Sequence, residues 1–172
     1  MCSEEKVGYD VTDEESILYY ASHLEGQTLN EAIPNYERTF NGGRGTFGLI
    51  LETGYFGLDR NNESRPDFED AGIELKSSPL KRLRNGELRA KERISLSMID
   101  YNKLAYERGP LYSTSFWSKI NRMLLVFYEY SQELSALDYP IRVVSLWEFP
   151  HDDKLVLAKD WELIKSYVDK GQ

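Results

Sequence analysis

The chain has 172 residues, 41% of them hydrophobic and 13% aromatic, which fits one compact domain with a sizeable core and is too apolar for a disordered chain. A net charge of −8 argues at first against a nucleic-acid partner, since phosphate contacts need Lys and Arg. No apolar run approaches the ~20 residues of a membrane span, and Met1 to Glu5 lack the basic-then-apolar pattern of a signal peptide. The single cysteine, Cys2, and two distant histidines, His23 and His151, leave no disulfide framework and no thiolate or histidine-rich metal site. These features point to the cytoplasm.

In chain order, Thr12 with Glu15 and Thr28 with Glu31 read as capping boxes that open helices. The first helix should bury Ile17, Leu18, Ala21 and Leu24, which recur at helical spacing. Gly42-Gly43-Arg44-Gly45 precedes the apolar stretch from Phe47 to Phe56; without the GK[ST] ending of a phosphate loop, it reads as a hinge or turn. Residues 72–78 alternate, Ile73 and Leu75 on one face and Glu74 and Lys76 on the other, as a half-buried strand requires. Asn85-Gly86 signals a hairpin between two basic arms. Ile94, Leu96 and Met98 alternate with serines and predict another strand. Met123 to Tyr130 and Ile141 to Phe149 read as central strands. The last element, after Asp152-Asp153, places Leu157, Trp161, Ile164 and Val168 on one helical face. Helices at both ends around several strands predict an α/β or α+β fold with a mixed sheet, residues 1–172 forming a single domain.

The charge distribution matters more than its sum. From Lys76 to Arg93, seven basic side chains (Lys76, Lys81, Arg82, Arg84, Arg89, Lys91, Arg93) stand against Glu87 and Glu92, a local charge of +5. Alone, such a run is a solvated strand or loop. Here it follows an acidic cluster at once: Pro66-Asp67, then Glu74-Leu75-Lys76. Residues two apart on a strand share a face, so Glu74 and Lys76 project together, and the turn at Ala71-Gly72 can return Asp67 to the same edge. Two converging carboxylates suit Mg²⁺ and leave several of its waters in place. Phosphodiester hydrolysis uses that arrangement, with a nearby lysine to orient or activate water. The competing reading of the bare pattern is a surface ion pair of little energetic value.

On these residues the chain resembles MutH, the strand-nicking endonuclease of mismatch repair, and still more the catalytic half of Sau-type restriction enzymes, which cut at GATC. The likeness is carried by Leu24 to Leu29, Gly48 to Glu52, Pro66-Asp67 through Gly72 to Lys76, Ser118-Lys119, Phe127 to Tyr130 and Asp160 to Glu162. Lys81 to Arg93 is similar to the restriction enzyme rather than to MutH. The resemblance implies a PD-(D/E)xK nuclease fold, a mixed sheet flanked by helices. It implies Asp67 and Glu74 as metal ligands for Mg²⁺, Lys76 serving the attacking water, Glu52 as a further acidic residue, and Lys119 near the scissile phosphate, with Arg122 able to do similar electrostatic work. Lys81, Arg82, Arg84, Arg89 and Lys91 are expected to touch DNA phosphates. The family segment that reads bases lies beyond the Trp161 helix, so the expectation is a catalytic domain excised from a longer chain, whose remainder is a partner alongside double-stranded DNA. The implied activity is that of a type II restriction endonuclease; the alternatives are a mismatch-repair nickase and a non-catalytic effector-binding domain.

Overall fold

A computed structural model describes residues 8–36, 43, 45–59, 64–107 and 109–171. Cys2, Gly42 and Arg44 lie outside the described residues.

Helix α1 spans Glu14–Ser22 and buries Ile17 and Ala21, with Leu24 buried just beyond its end. Its N-cap is Asp13, whose carboxylate accepts from the Ser16 N–H at 2.9 Å. The capping box expected from Thr12 does not form, because the Thr12 hydroxyl donates instead to Asp10 Oδ1 at 2.8 Å. The Thr28 box does form at α2, Leu29–Ala32: the Glu31 N–H donates to Thr28 Oγ1, and Glu31 Oε2 accepts from the Thr28 N–H. Helix α3, Thr46–Ile50, runs into a single π-helical turn over Leu51–Tyr55.

The sheet has four strands in the order β2-β1-β3-β4: β1 is Glu74–Arg82, β2 Leu88–Ala90, β3 Arg122–Glu129 and β4 Ile141–Glu148. It is mixed, since β1 pairs parallel with β3 while β2 and β4 pair antiparallel with their neighbours. The β1–β2 hairpin turns at Asn85-Gly86 as expected, with Gly86 at φ 88, a left-handed backbone that glycine adopts without steric cost. Of the two expected central strands, only β3 is central. β4 is an edge strand, with Val143 42% exposed.

Two further expectations fail. Residues 93–100 form no strand despite their alternation, and Met98 is 90% exposed. The start of β1 is not half-buried either, because Ile73, Glu74 and Leu75 are all buried. Both faces of the sheet are covered there. On one, Leu75, Leu124 and Val126 join the main core with α1 and α3, and α3 comes so close that a Cβ on Gly48 would stand 3.1 Å from Ser77 Oγ. On the other lies α5, Ser115–Ile120, in a second core with Leu104 of α4 (Tyr101–Tyr106) and Trp161 of α6 (His151–Asp169). Helix α6 starts at His151, before rather than after Asp152-Asp153, and Leu157, Trp161, Ile164 and Val168 pack inward as predicted. Among the described residues no helix is long and apolar enough to cross a membrane.

Candidate active site

The site forms where the chain enters β1. Phe68 and Ile73 exchange backbone hydrogen bonds of 2.9 and 3.2 Å across a tight turn, with Gly72 at φ 66. That turn folds Asp67 back beside Glu74, and Asp67 Oδ2 accepts the Leu75 N–H at 2.8 Å, which fixes the orientation of the carboxylate.

Glu74 is 3% exposed. Its Oε1 accepts from Lys76 Nζ at 2.8 Å, and Lys119 Nζ lies 3.7 Å from the same oxygen. Its Oε2 is buried with no hydrogen-bond partner among the described residues. Burial pushes the Glu74 pKa above its ordinary value and the negative charge of Asp67 pushes the same way, opposed by the two lysines. An unpartnered, desolvated carboxylate oxygen is costly in a folded protein unless a ligand completes it.

Lys119 reaches Glu74 because α5 is firmly seated. Thr114 caps it by accepting the Trp117 N–H at 3.1 Å, and Trp117 and Ile120 are buried. The Glu107 carboxylate further accepts from the Ser115 hydroxyl at 2.6 Å. Arg122 does not share this work: its guanidinium is ion-paired with Glu14 and, at 2.7 Å, with Glu148. Glu52 stands half-buried in the π-helical turn, between buried Leu51 and Tyr55. Reciprocal bonds tie that turn to α1, Tyr55 donating to the Tyr20 carbonyl at 2.8 Å and Tyr20 to the Tyr55 carbonyl at 3.2 Å. Inserted π turns occur often at functional sites. The apolar run around Glu52 gave no sign of one.

The basic hairpin is less uniform than its sequence. Lys81 and Arg84 are exposed. Arg82 is held by Glu129 through two 2.7 Å hydrogen bonds, and the same carboxylate binds Arg142 at 2.7 Å. That pairing raises the Arg82 pKa and holds Glu129 down at about 2. Arg89 lies 4.0 Å from Glu87, and Lys91 sits 4.3 Å over the Tyr130 ring.

The donor set fits a hard divalent cation. Two carboxylates converge, and among the described residues one of their oxygens lacks a partner, hard oxygen donors of the kind a divalent cation takes.

A mixed sheet with helices on both faces and two carboxylates meeting at the head of β1 defines an α/β fold of the restriction-nuclease class. Comparison with known proteins agrees: the family model described as DNA mismatch repair enzyme MutH matches residues 56–160, and the chain belongs to that family. It is 37% identical over 163 residues to the type II restriction enzyme Sau3AI of Staphylococcus aureus, across 88% of this chain and 33% of that enzyme. It is 25% identical over 166 residues to the DNA mismatch repair protein MutH of Yersinia enterocolitica, across 94% of this chain and 69% of that protein. The chain thus spans about a third of the length of the restriction enzyme. Asp67, Glu74, Lys76 and Lys119 fall inside the family match, and Glu52 lies just before it.

Proposed function

We propose that this chain carries the catalytic centre of a Mg²⁺-dependent, site-specific DNA endonuclease of the type II restriction class, cutting at GATC. One observation carries the chemistry: the buried Glu74 carboxylate offers an unpartnered oxygen beside Asp67, while two lysines hold its other oxygen. Asp67 and Glu74 would hold the metal, which when bound neutralises phosphate charge and lowers the pKa of a bound water. Lys76 keeps Glu74 oriented and stands within reach of a water beside it. Lys119 brings a second ammonium to the same oxygen, where it can meet charge developing on the phosphate. Glu52 is proposed as a further acid that helps position water or metal. Lys81, Arg82, Arg84, Arg89 and Lys91 are proposed to contact DNA phosphates, with Arg82 already engaged by Glu129. Base reading is assigned to the remainder of a longer chain.

The restriction reading is preferred to a mismatch-repair nickase because identity to the restriction enzyme, at 37%, exceeds that to MutH, at 25%. A non-catalytic effector domain is disfavoured by the presence of Asp67, Glu74 and Lys76 together. The test is cleavage by the full-length protein of plasmids with and without GATC, in Mg²⁺ or in EDTA. Metal-dependent cutting confined to the GATC plasmid is expected, with Asp67→Asn at least ~10²-fold slower, since a metal supplies several kcal/mol at ~1.4 kcal/mol per tenfold. Cleavage by Asp67→Asn at the wild-type rate would remove the assigned centre.

A further inference from the structure

Lys119 touches Glu74, and it also lines an open cleft of about 580 Å³ together with Ser64, Met98, Lys103, Phe116 and Trp161. One wall is aromatic, Phe116 stacked on Trp161 with ring centroids 5.3 Å apart. Trp161 is 4% exposed, and its indole N–H is buried with no hydrogen-bond partner among the described residues. Lys103, on α4, donates to Ser64 Oγ at 2.9 Å. Its ammonium has two further protons to give, and among the described residues no carboxylate lies within ion-pair distance of it.

Two carboxylates, Asp100 and Glu107, also line the cleft, each turned to a neighbouring neutral donor and neither paired with the Lys103 ammonium. Asp100 accepts the N–H groups of Asn102 and Lys103 at 2.9 and 3.3 Å, and Glu107 is bound to Ser115. What the cleft offers an anion is therefore the Lys103 ammonium and the Ser64 hydroxyl beside the exposed thioether of Met98, the Lys119 ammonium being turned to Glu74. Cations and hydroxyls along a groove suit the oxygens of a sugar-phosphate chain. The cleft is continuous, through Lys119, with the carboxylates of the reaction centre.

We infer that this cleft seats the DNA strand adjoining the scissile phosphate, with Lys103 contacting a neighbouring phosphate and Met98 lying against sugar or base edge. The inference deepens the endonuclease reading and rests on it. Lys103 is a binding residue here and takes no part in the chemistry.

The experiment compares full-length wild type, Lys103→Met and Lys103→Arg for DNA affinity across a salt series, KM and kcat for cleavage, and thermal shift by Mn²⁺. For Lys103→Met we expect affinity for all sequences to fall about tenfold, and the slope of log K against log salt to flatten by about 0.9. KM should rise with kcat within about twofold, the Mn²⁺ shift should be unchanged, and Lys103→Arg should recover the slope. If wild type cuts DNA and Lys103→Met keeps the wild-type slope, the inference is overturned while the endonuclease reading stands. An unchanged slope with lower kcat and a lost Mn²⁺ shift overturns it too, since Lys103 would then only brace Ser64 and the segment leading to Asp67. If wild type neither binds nor cuts DNA, both readings fall together.

Discussion

Glu74→Gln separates what the buried carboxylate does for metal binding from what it does for the fold. The side chain is 3% exposed, with Oε1 shared by Lys76 and Lys119 and Oε2 unpartnered. Without metal its charge is disfavoured, since burial and Asp67 raise its pKa. Glutamine keeps the shape and still accepts from Lys76. The two lysines lose a counter-charge but are 23% and 17% exposed, so water can solvate them. The metal-free variant should therefore melt at or above the wild-type temperature. Metal reverses the order. A ligand at 100 times its Kd stabilises the native state by ~2.7 kcal/mol. At ~2–4 °C per kcal/mol for a domain of this size, wild type should gain about 5–11 °C. The variant should gain almost nothing at the same concentration. The assay is thermal unfolding of both proteins in EDTA and across a Mg²⁺ and Mn²⁺ titration. Equal metal-induced shifts would refute the assignment of Glu74 as a ligand. A metal-free variant far less stable than wild type would refute the argument that the buried charge is a cost.

Lys119→Met should lower kcat by about 10²–10³-fold, the cost of removing one group that stabilises transition-state charge, and leave the circular dichroism spectrum unchanged. Neutralising Lys81 and Arg84 together should flatten the salt dependence of DNA binding by about 1.8 units of slope, whereas Arg82→Gln should change it less, because Glu129 already neutralises that guanidinium. For Glu129 the folded pKa is depressed from 4.5 to about 2, so its contribution to stability is present above 4.5 and is lost as the pH falls through about 2. Denaturant unfolding between pH 6 and pH 2 should show that loss in wild type and a weaker one in Arg82→Gln, both modest because the pair faces solvent.

Much of this was legible in the sequence where it rests on local chemistry. The Thr28 box, the Asn85-Gly86 turn and the apolar face of the last helix each depend on residues a few positions apart, and each is found. The turn at Ala71-Gly72 likewise brings Asp67 to Glu74 over a short loop. What was not legible depends on distant partners. The alternation of Ile94, Leu96 and Met98 makes no strand, since alternation supplies a face but not the neighbouring backbone a ladder needs. The partner of Arg82 is 47 residues away on β3, so a basic run in sequence is partly an internal clamp in space. The Asp13 cap replaces Thr12 because Asp10 captures the threonine hydroxyl, a choice between two local bonds that spacing alone does not decide.

The burial of Glu74 is the most consequential of these differences. A strand with one wet face would present Glu74 and Lys76 to water, where an ion pair between them is worth little and a carboxylate binds a divalent cation weakly. Helix α5 covers that face instead, because Trp117 and Ile120 need a core and take Lys119 with them. The same packing that stabilises the second core thus desolvates the carboxylate and places a second ammonium beside it. Low local dielectric strengthens every charge interaction in the pocket, including the repulsion from Asp67 that a cation would relieve. A surface Glu-x-Lys would have little use for a metal. This one is left with an unsatisfied oxygen that a hard cation can complete, and the cost of keeping it is carried by the hydrophobic contacts of α5.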